Sequence, residues 1–183
     1  MADVLIETAR LVLRGERPGD REAWLAEINS AETMEHLGGP KTTDAVHADF
    51  DRMAGDSEFP WVLIGLKPHG GVIGKCGLGP IDTQAAPDEL RGRVQVGWTI
   101  GASHWRQGYG REAAAAMLDL AFGRYGQDTV YAQTSERNLA SFRLMESLGM
   151  TRRAELDYDD PDFSPEDNPT IIYAITRQEW LSR

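Results

Sequence analysis

The hydrophobic and polar positions along the chain switch repeatedly between a two-residue and a helical period. Residues 8–14 (TARLVLR) alternate and predict a first strand. Residues 60–67 (PWVLIGLK) are almost continuously apolar and predict a buried strand. Gly70-Gly71 then turns the chain into a third strand over residues 72–78 (VIGKCGL). Residues 93–101 predict a fourth, residues 130–134 a fifth, and residues 150–155 and 170–176 the last two. Asp20 is placed to cap a helix running to Asn29, with Trp24, Leu25 and Ile28 on one face. Thr43 is placed to cap another, with Val46, Phe50 and Met53 at helical spacing. An alanine-rich helix follows Gly108 and Gly110 and ends near Gly123. Asn138 opens a helix with Phe142, Met145 and Leu148 inward, and Gly149 closes it in the left-handed position. The pattern predicts one α/β (α+β) domain over residues 1–183, with a mixed central sheet of about seven strands and helices on both faces.

The 183-residue length suffices for a sizeable core, and 41% hydrophobic with 26% charged residues excludes wholesale disorder. The net charge of −10 argues against a nucleic-acid partner, because it repels phosphate backbones. Such a field attracts cationic amines, or serves solubility alone. Cys76 is the sole cysteine, so no intrachain disulfide forms. No run of ~18 apolar residues predicts a membrane span. A soluble cytoplasmic protein is expected.

The stretch HWRQGYGREAAAAMLDLAF, residues 104–122, carries the chemistry. A strand, a turn and then Gly108-x-Gly110 at the mouth of a helix make an anion site. The first N–H groups of a helix lack partners, its dipole is positive there, and glycine admits a bulky ligand. Arg106 and Arg111 flank the turn and are placed to pair with phosphate oxygens. The bland alternative is a glycine turn that merely starts a helix. A P-loop is absent, and Ala113 stands where a dinucleotide fingerprint has its third glycine. The motif follows the fourth strand rather than the first, which weighs against a dinucleotide-binding oxidoreductase. His36, His47 and His69 lack partners at metal-ligand spacing, so no metal is expected. His104 reads as a turn residue, Glu112 as first-turn support for the dipole, and Cys76 as core.

Residues 138–150 (NLASFRLMESLGM) begin about thirty residues beyond the glycine turn. With this stretch the chain resembles the GNAT N-acetyltransferases, most closely their RimJ/RimL-like branch. ETARLVLR resembles the branch's opening strand, GVIGKCGL its third strand and VQVGWTI its fourth. WRQGYGREA resembles its phosphate turn, and Trp105 within it is a feature of the branch. The resemblance implies acetyl-CoA as co-substrate. It places the diphosphate on the backbone amides of Arg106, Gln107, Gly108, Tyr109, Gly110 and Arg111. It places the pantetheine arm along the main chain of Trp98 and Ile100. It places Asn138 and Ser141 toward the arm and the sulfur.

The implied reaction moves an acetyl group from a thioester to a primary amine. Two positions depart from the family pattern. Gln95 stands where many members carry a glutamate base, and Met145 where many carry a tyrosine acid. Ser141 remains the candidate partner for the leaving sulfur. The acidic stretch of residues 155–167 (ELDYDDPDFSPED) corresponds to the family's acceptor-side loop. Asp157, Asp159 and Asp160 are its candidates for drawing in a protonated amine, against the alternative of a solvated, mobile loop. The expected partners are an amine acceptor and, in a homodimer, a second copy of the chain. A protein N-terminus is the favoured acceptor, with a polyamine or aminoglycoside as the alternative. A non-catalytic acyl-CoA-binding module is the reading of a different class.

Overall fold

The computed structural model describes residues 4–55 and 57–183. Its strands are β1 (Val4–Glu7), β2 (Leu11–Arg14), β3 (Trp61–Leu66), β4 (Gly71–Pro80), β5 (Val94–Ile100), β6 (Thr129–Ser135), β7 (Thr151–Arg152) and β8 (Thr170–Thr176). They hydrogen-bond in the order β1-β2-β3-β4-β5-β6-β8-β7. Neighbours run antiparallel from β1 to β4, β5 and β6 are parallel, and β8 is antiparallel to both β6 and β7. The mixed sheet is as expected, with eight strands rather than about seven.

The extra strand comes from a correction at the start of the chain. Residues 8–14 do not form one strand. The Thr8 N–H donates to the Leu11 carbonyl at 3.0 Å, and the Leu11 N–H returns to Thr8 Oγ1 at 3.0 Å. A threonine hydroxyl that bonds nearby backbone competes with the sheet ladder, and here it closes a hairpin turn. A second correction concerns residues 150–155. Only Thr151 and Arg152 stay in the ladder. The chain then winds into a 3-10 turn at Ala154–Leu156, which buries Leu156 among Ile81, Leu90, Tyr158 and Ile172.

The helices are α1 (Asp20–Ala23), α2 (Thr43–Ala54), α3 (Tyr109–Gly123), α4 (Leu139–Ser147) and α5 (Arg177–Leu181). Here α1 runs on as a wide π turn over Trp24–Ile28. The expected Asp20 cap is not made; Gly19 occupies that position. The Asp20 carboxylate instead takes the Arg14 guanidinium in a fork, at 2.6 and 3.0 Å, and the Arg17 N–H at 2.7 Å. The cap of α2 is Thr42 rather than Thr43, its side chain accepting from the Ala45 N–H at 3.3 Å. Asn138 caps α4 and Gly149 has φ +79°, both as expected.

The chain gathers into two compact units, Met1–Gly77 with Trp98–Ala116, and Leu78–Gly97 with Met117–Arg183. In the first, Trp24 and Ile28 of the π turn pack with Val46 and Phe50 of α2 over Leu63 and Val72. Trp24 meets Phe50 edge to face. Gly74 lets β4 and β5 approach closely: a Cβ there would fall 2.1 Å from the Thr99 carbonyl oxygen. In the second, Ile81, Ala86, Leu90, Leu156, Tyr158 and Ile172 form the core cluster.

Arg14 is 1% exposed and Asp20 7% exposed, so each charge depends on the other. The guanidinium also donates to the Gly15 and Gly70 carbonyls, tying β2 to the turn before β4. Removing one partner of a buried pair leaves the other charge uncompensated. Asp20→Ala is expected to lower unfolding free energy by about 3–5 kcal/mol, read by urea denaturation.

Candidate functional site

The end of β5 and the start of α3 bring most of the expected binding residues together within the first unit. The Gly101 N–H donates to the Ile73 carbonyl of β4 at 2.9 Å. Main-chain groups alternate direction along a strand, so those of Trp98 and Ile100 face the opposite edge. At that edge the Ile100 carbonyl accepts from the Trp105 indole N–H at 2.6 Å. Trp105 thus has a defined task that its place in the sequence did not disclose.

The chain passes through a 3-10 turn at Ala102–His104 before α3 opens. His104 belongs to this turn, its N–H donating to Gly101 at 2.8 Å, as expected of a turn residue. Arg106 then adopts φ +58° and Gly108 φ +81°. A left-handed arginine is uncommon, and such strain concentrates where a ligand is held. Gly110 lies in regular helix, so the conformational demand falls on Gly108 alone of the two. The Glu112 N–H donates to the Gly108 carbonyl at 3.1 Å. The N–H groups of Arg106, Gln107, Gly108, Tyr109 and Gly110 have no acceptor among the described residues. Alternating backbone conformation with free donors makes an anion-binding concavity at a helix N-terminus. The Arg106 side chain is exposed beside it, as is that of Arg111.

Glu112 is more than first-turn support for the dipole. Its Oε1 accepts from the Thr8 hydroxyl at 2.6 Å and the Arg10 N–H at 2.8 Å. Its Oε2 accepts from Arg10 Nε at 2.7 Å. Partial burial pushes its pKa up, but these hydrogen bonds and the Arg10 charge outweigh burial and hold the carboxyl below its ordinary range. Arg10 Nη1 reaches the Gln107 carbonyl at 2.8 Å, and its guanidinium lies 4.6 Å from the Tyr109 ring centre. Neither Thr8 nor Arg10 was singled out from the sequence, because both read as strand. The charge pair separated by about a hundred residues carries no local signal.

The second unit holds the remaining candidates. Asn138 Oδ1 accepts from the Ser141 N–H at 3.0 Å, so this asparagine caps α4. The Ser141 hydroxyl is half-buried and has no partner among the described residues. Met145 is buried in the core, where it contributes packing. Gln95 is paired in register with Tyr131 of β6.

Of the three loop aspartates, two are occupied. The Asp157 carboxylate pairs with Arg152 and accepts from the Ile172 N–H at 3.1 Å. Asp160 is buried, and its Oδ1 accepts from the Asp162 N–H at 3.0 Å. Asp159 is exposed and has no partner among the described residues. The loop itself is laced: Asn168 bonds Asp160 N–H and carbonyl at 2.8 and 3.0 Å, and Tyr158 exchanges main-chain bonds with Thr170. Tyr158 donates to Gln133 Oε1 at 2.8 Å. Burial, then the nearby Asp160 charge, push the Tyr158 phenol up to about 12, so it stays protonated.

Burial pushes the Cys76 thiol up, as befits a core residue. Among the described residues no three His, Cys, Asp or Glu side chains converge as metal ligands. Among the same residues no helix is long and apolar enough to cross a membrane.

The family model for the acetyltransferase (GNAT) domain matches residues 10–151. The chain is 33% identical over 116 residues to the FsC-acetyl coenzyme A-N(2)-transacetylase of Aspergillus fumigatus. That match covers 62% of this chain and 49% of the relative, so the chain spans about half that protein's length. The fold is similar to the acetyltransferase (GNAT family) from Bacillus anthracis, with a TM-score of 0.78 at 20% identity, over 97% of this chain and 99% of that one. It is similar to spermidine N-acetyltransferase from Vibrio cholerae in complex with CoA and spermine, with a TM-score of 0.73 at 16% identity. That match covers 95% of this chain and 99% of the other.

The depressed Glu112 carboxyl sets a pH signature. A group whose folded pKa is lowered stabilises above its unfolded value and loses that contribution as pH falls through the folded value. The melting-temperature gap between wild type and Glu112→Gln is expected to stay constant from pH 8 to 5. It should shrink only below about pH 4, where free glutamate takes up its proton.

Proposed function

The chain belongs to the GNAT acetyltransferase family, and on that premise we propose that it is an acetyl-CoA-dependent N-acetyltransferase acting on an α-amine, such as a protein N-terminus. One observation carries the co-substrate half of this reading: the five successive N–H groups of residues 106–110, leading into the first turn of α3, have no acceptor among the described residues. A CoA diphosphate is the doubly charged group that family membership brings to such a cradle. Trp98 and the Ile100 N–H offer the strand edge to the pantetheine arm. The Asn138 cap fixes the first turn of α4, and the unpartnered Ser141 hydroxyl is the donor offered to the leaving thiolate.

The chemistry needs a neutral amine, a donor for the tetrahedral oxyanion and a proton for the sulfur. Gln95 cannot accept a proton as a base, and buried Met145 cannot donate one. A thioester is already activated, so juxtaposition supplies most of the acceleration. With no carboxylate at position 95, the acceptor's own pKa decides how much amine arrives neutral. At pH 7 an α-amine is neutral in roughly one molecule in ten, whereas a lysine-like amine is neutral in fewer than about one in a thousand. That difference favours an α-amine over a polyamine. It agrees with the stretches of residues 7–14 and 105–113, which resemble the RimJ/RimL-like branch. Asp159 is the loop carboxylate free to attract a protonated amine, while Asp157 and Asp160 shape the loop. The single buried cysteine fits a reducing compartment, and we place the reaction in the cytoplasm.

The polyamine reading draws support from the acidic loop and from the net charge of −10. An acceptor panel of peptides, polyamines and aminoglycosides, followed by release of free CoA, separates the readings. Turnover is expected with α-amines. Tight CoA binding without turnover on any amine would instead identify a non-catalytic acyl-CoA-binding module. Gly110→Glu, which puts a carboxylate at the cradle, is expected to abolish CoA binding by calorimetry while leaving the circular dichroism spectrum unchanged. Ser141→Ala is expected to lower kcat by about 10²-fold, the size typical of losing a proton donor, with little effect on the KM for acetyl-CoA.

A further inference from the structure

A turn full of free N–H groups grips an anion only when those groups point the same way. Helix α3 sets the direction of the Tyr109 and Gly110 N–H groups, but those of residues 106–108 have no acceptor among the described residues to fix them. The constraint comes from the β1–β2 hairpin turn. Arg10 Nη1 donates to the Gln107 carbonyl at 2.8 Å. The peptide joining Gln107 to Gly108 is trans, and a planar trans peptide points its C=O and N–H in opposite directions. Holding the carbonyl toward Arg10 therefore turns the Gly108 N–H to the far side of the turn.

The guanidinium is itself fixed from three directions. Its Nε is bound by Glu112 Oε2 at 2.7 Å, and its face lies against the Tyr109 ring. Its Nη2 fills the space beside Gly108, 3.2 Å from where a Cβ would stand. Glu112 in turn holds the Thr8 hydroxyl and the Arg10 N–H, so the hairpin turn cannot pull away without breaking three bonds to one carboxylate.

We propose that Arg10, locked by Glu112, is a positioning residue for the diphosphate: it acts from the carbonyl side of the turn and sets the direction of the Gly108 N–H. This rests on the acetyl-CoA reading of the cradle given above. Two of the three guanidinium nitrogens are committed to protein acceptors, so its role is preorganisation rather than a share of the ligand's charge. A merely structural hairpin contact would alter stability without singling out one part of one substrate. A positioning contact affects only ligands that carry the diphosphate.

The test compares wild type, Arg10→Met, Arg10→Lys and Glu112→Gln with acetyl-CoA and with S-acetylpantetheine, which lacks the diphosphate. Calorimetry with CoA accompanies the kinetics. Arg10→Met is expected to weaken CoA binding and raise the KM for acetyl-CoA by about tenfold, the scale of one lost charge-assisted hydrogen bond. The kcat and the amine KM should stay within about twofold, and kcat/KM for S-acetylpantetheine should not change. Arg10→Lys, which keeps one donor for the Gln107 carbonyl, should recover part of the loss. Should Arg10→Met fail to fold, Arg10→Lys and Glu112→Gln carry the same comparison, each with a smaller rise confined to acetyl-CoA. Unchanged CoA affinity in these variants, with wild type binding CoA, would overturn the positioning role and leave the cradle standing. Equal losses with S-acetylpantetheine would also overturn it. A wild type that binds no CoA would overturn the cradle and the role together.

Discussion

One carboxylate holds the binding end of the first unit in register. Glu112 stands on the first turn of α3, where the helix dipole already favours a negative charge. The same side chain collects the Thr8 hydroxyl, the Arg10 N–H and the Arg10 guanidinium. The carboxylate therefore serves two elements at once: it steadies a helix mouth with free donors and fastens to it the hairpin that orients those donors. Fixed dipoles bind an anion strongly only when they need not reorganise around it. The left-handed Arg106 is consistent with such a turn, because strained backbone persists only where its surroundings over-determine it, while Gly108 adopts the same region without steric cost.

The legible parts of the sequence were the local ones. The glycine turn, the alanine-rich helix, the Asn138 cap and the Gly149 stop all depend on neighbours within a few residues, and all stand where their pattern placed them. What escaped was the choice among competing local partners. Residues 8–14 alternate as a strand should, yet the Thr8 hydroxyl diverts three of them into a turn. Asp20 has the composition of a helix cap, yet Arg14 claims its carboxylate, and the pair is buried together. Asp157 and Asp160 look like a free acidic face, yet each is engaged in building its own loop. In each case a polar side chain has several possible partners within a few residues, and the folded backbone decides among them. Spacing along the chain offers the candidates without choosing between them.

The departures at positions 95 and 145 acquire physical sense from their surroundings. Met145 is 1% exposed, so its side chain serves the packing of α4 and an acid there would be buried. Gln95 lies at the registered pair between parallel β5 and β6, next to Tyr131. Neither position supplies a titrating group near neutrality, and Tyr158 is held protonated by its burial. In the proposed reaction, proton balance would then fall on the acceptor, on water and on Ser141.

The acidity of the chain follows the same logic. A net charge of −10 opposes a polyanionic ligand at long range. Binding a diphosphate under that field requires short-range donors that solvent and salt screen weakly, which main-chain N–H groups provide. Arg10 is already bound to Glu112, which leaves the exposed Arg106 and Arg111 as the cationic side chains beside the turn. On the proposed reading, a backbone cradle oriented by a neutralised guanidinium would let an acidic protein hold an acidic co-substrate while its outer field still favours amines. The demand on Arg10 is thus directional rather than electrostatic, which is why a fork-shaped side chain with several fixed donors suits the position better than a point charge.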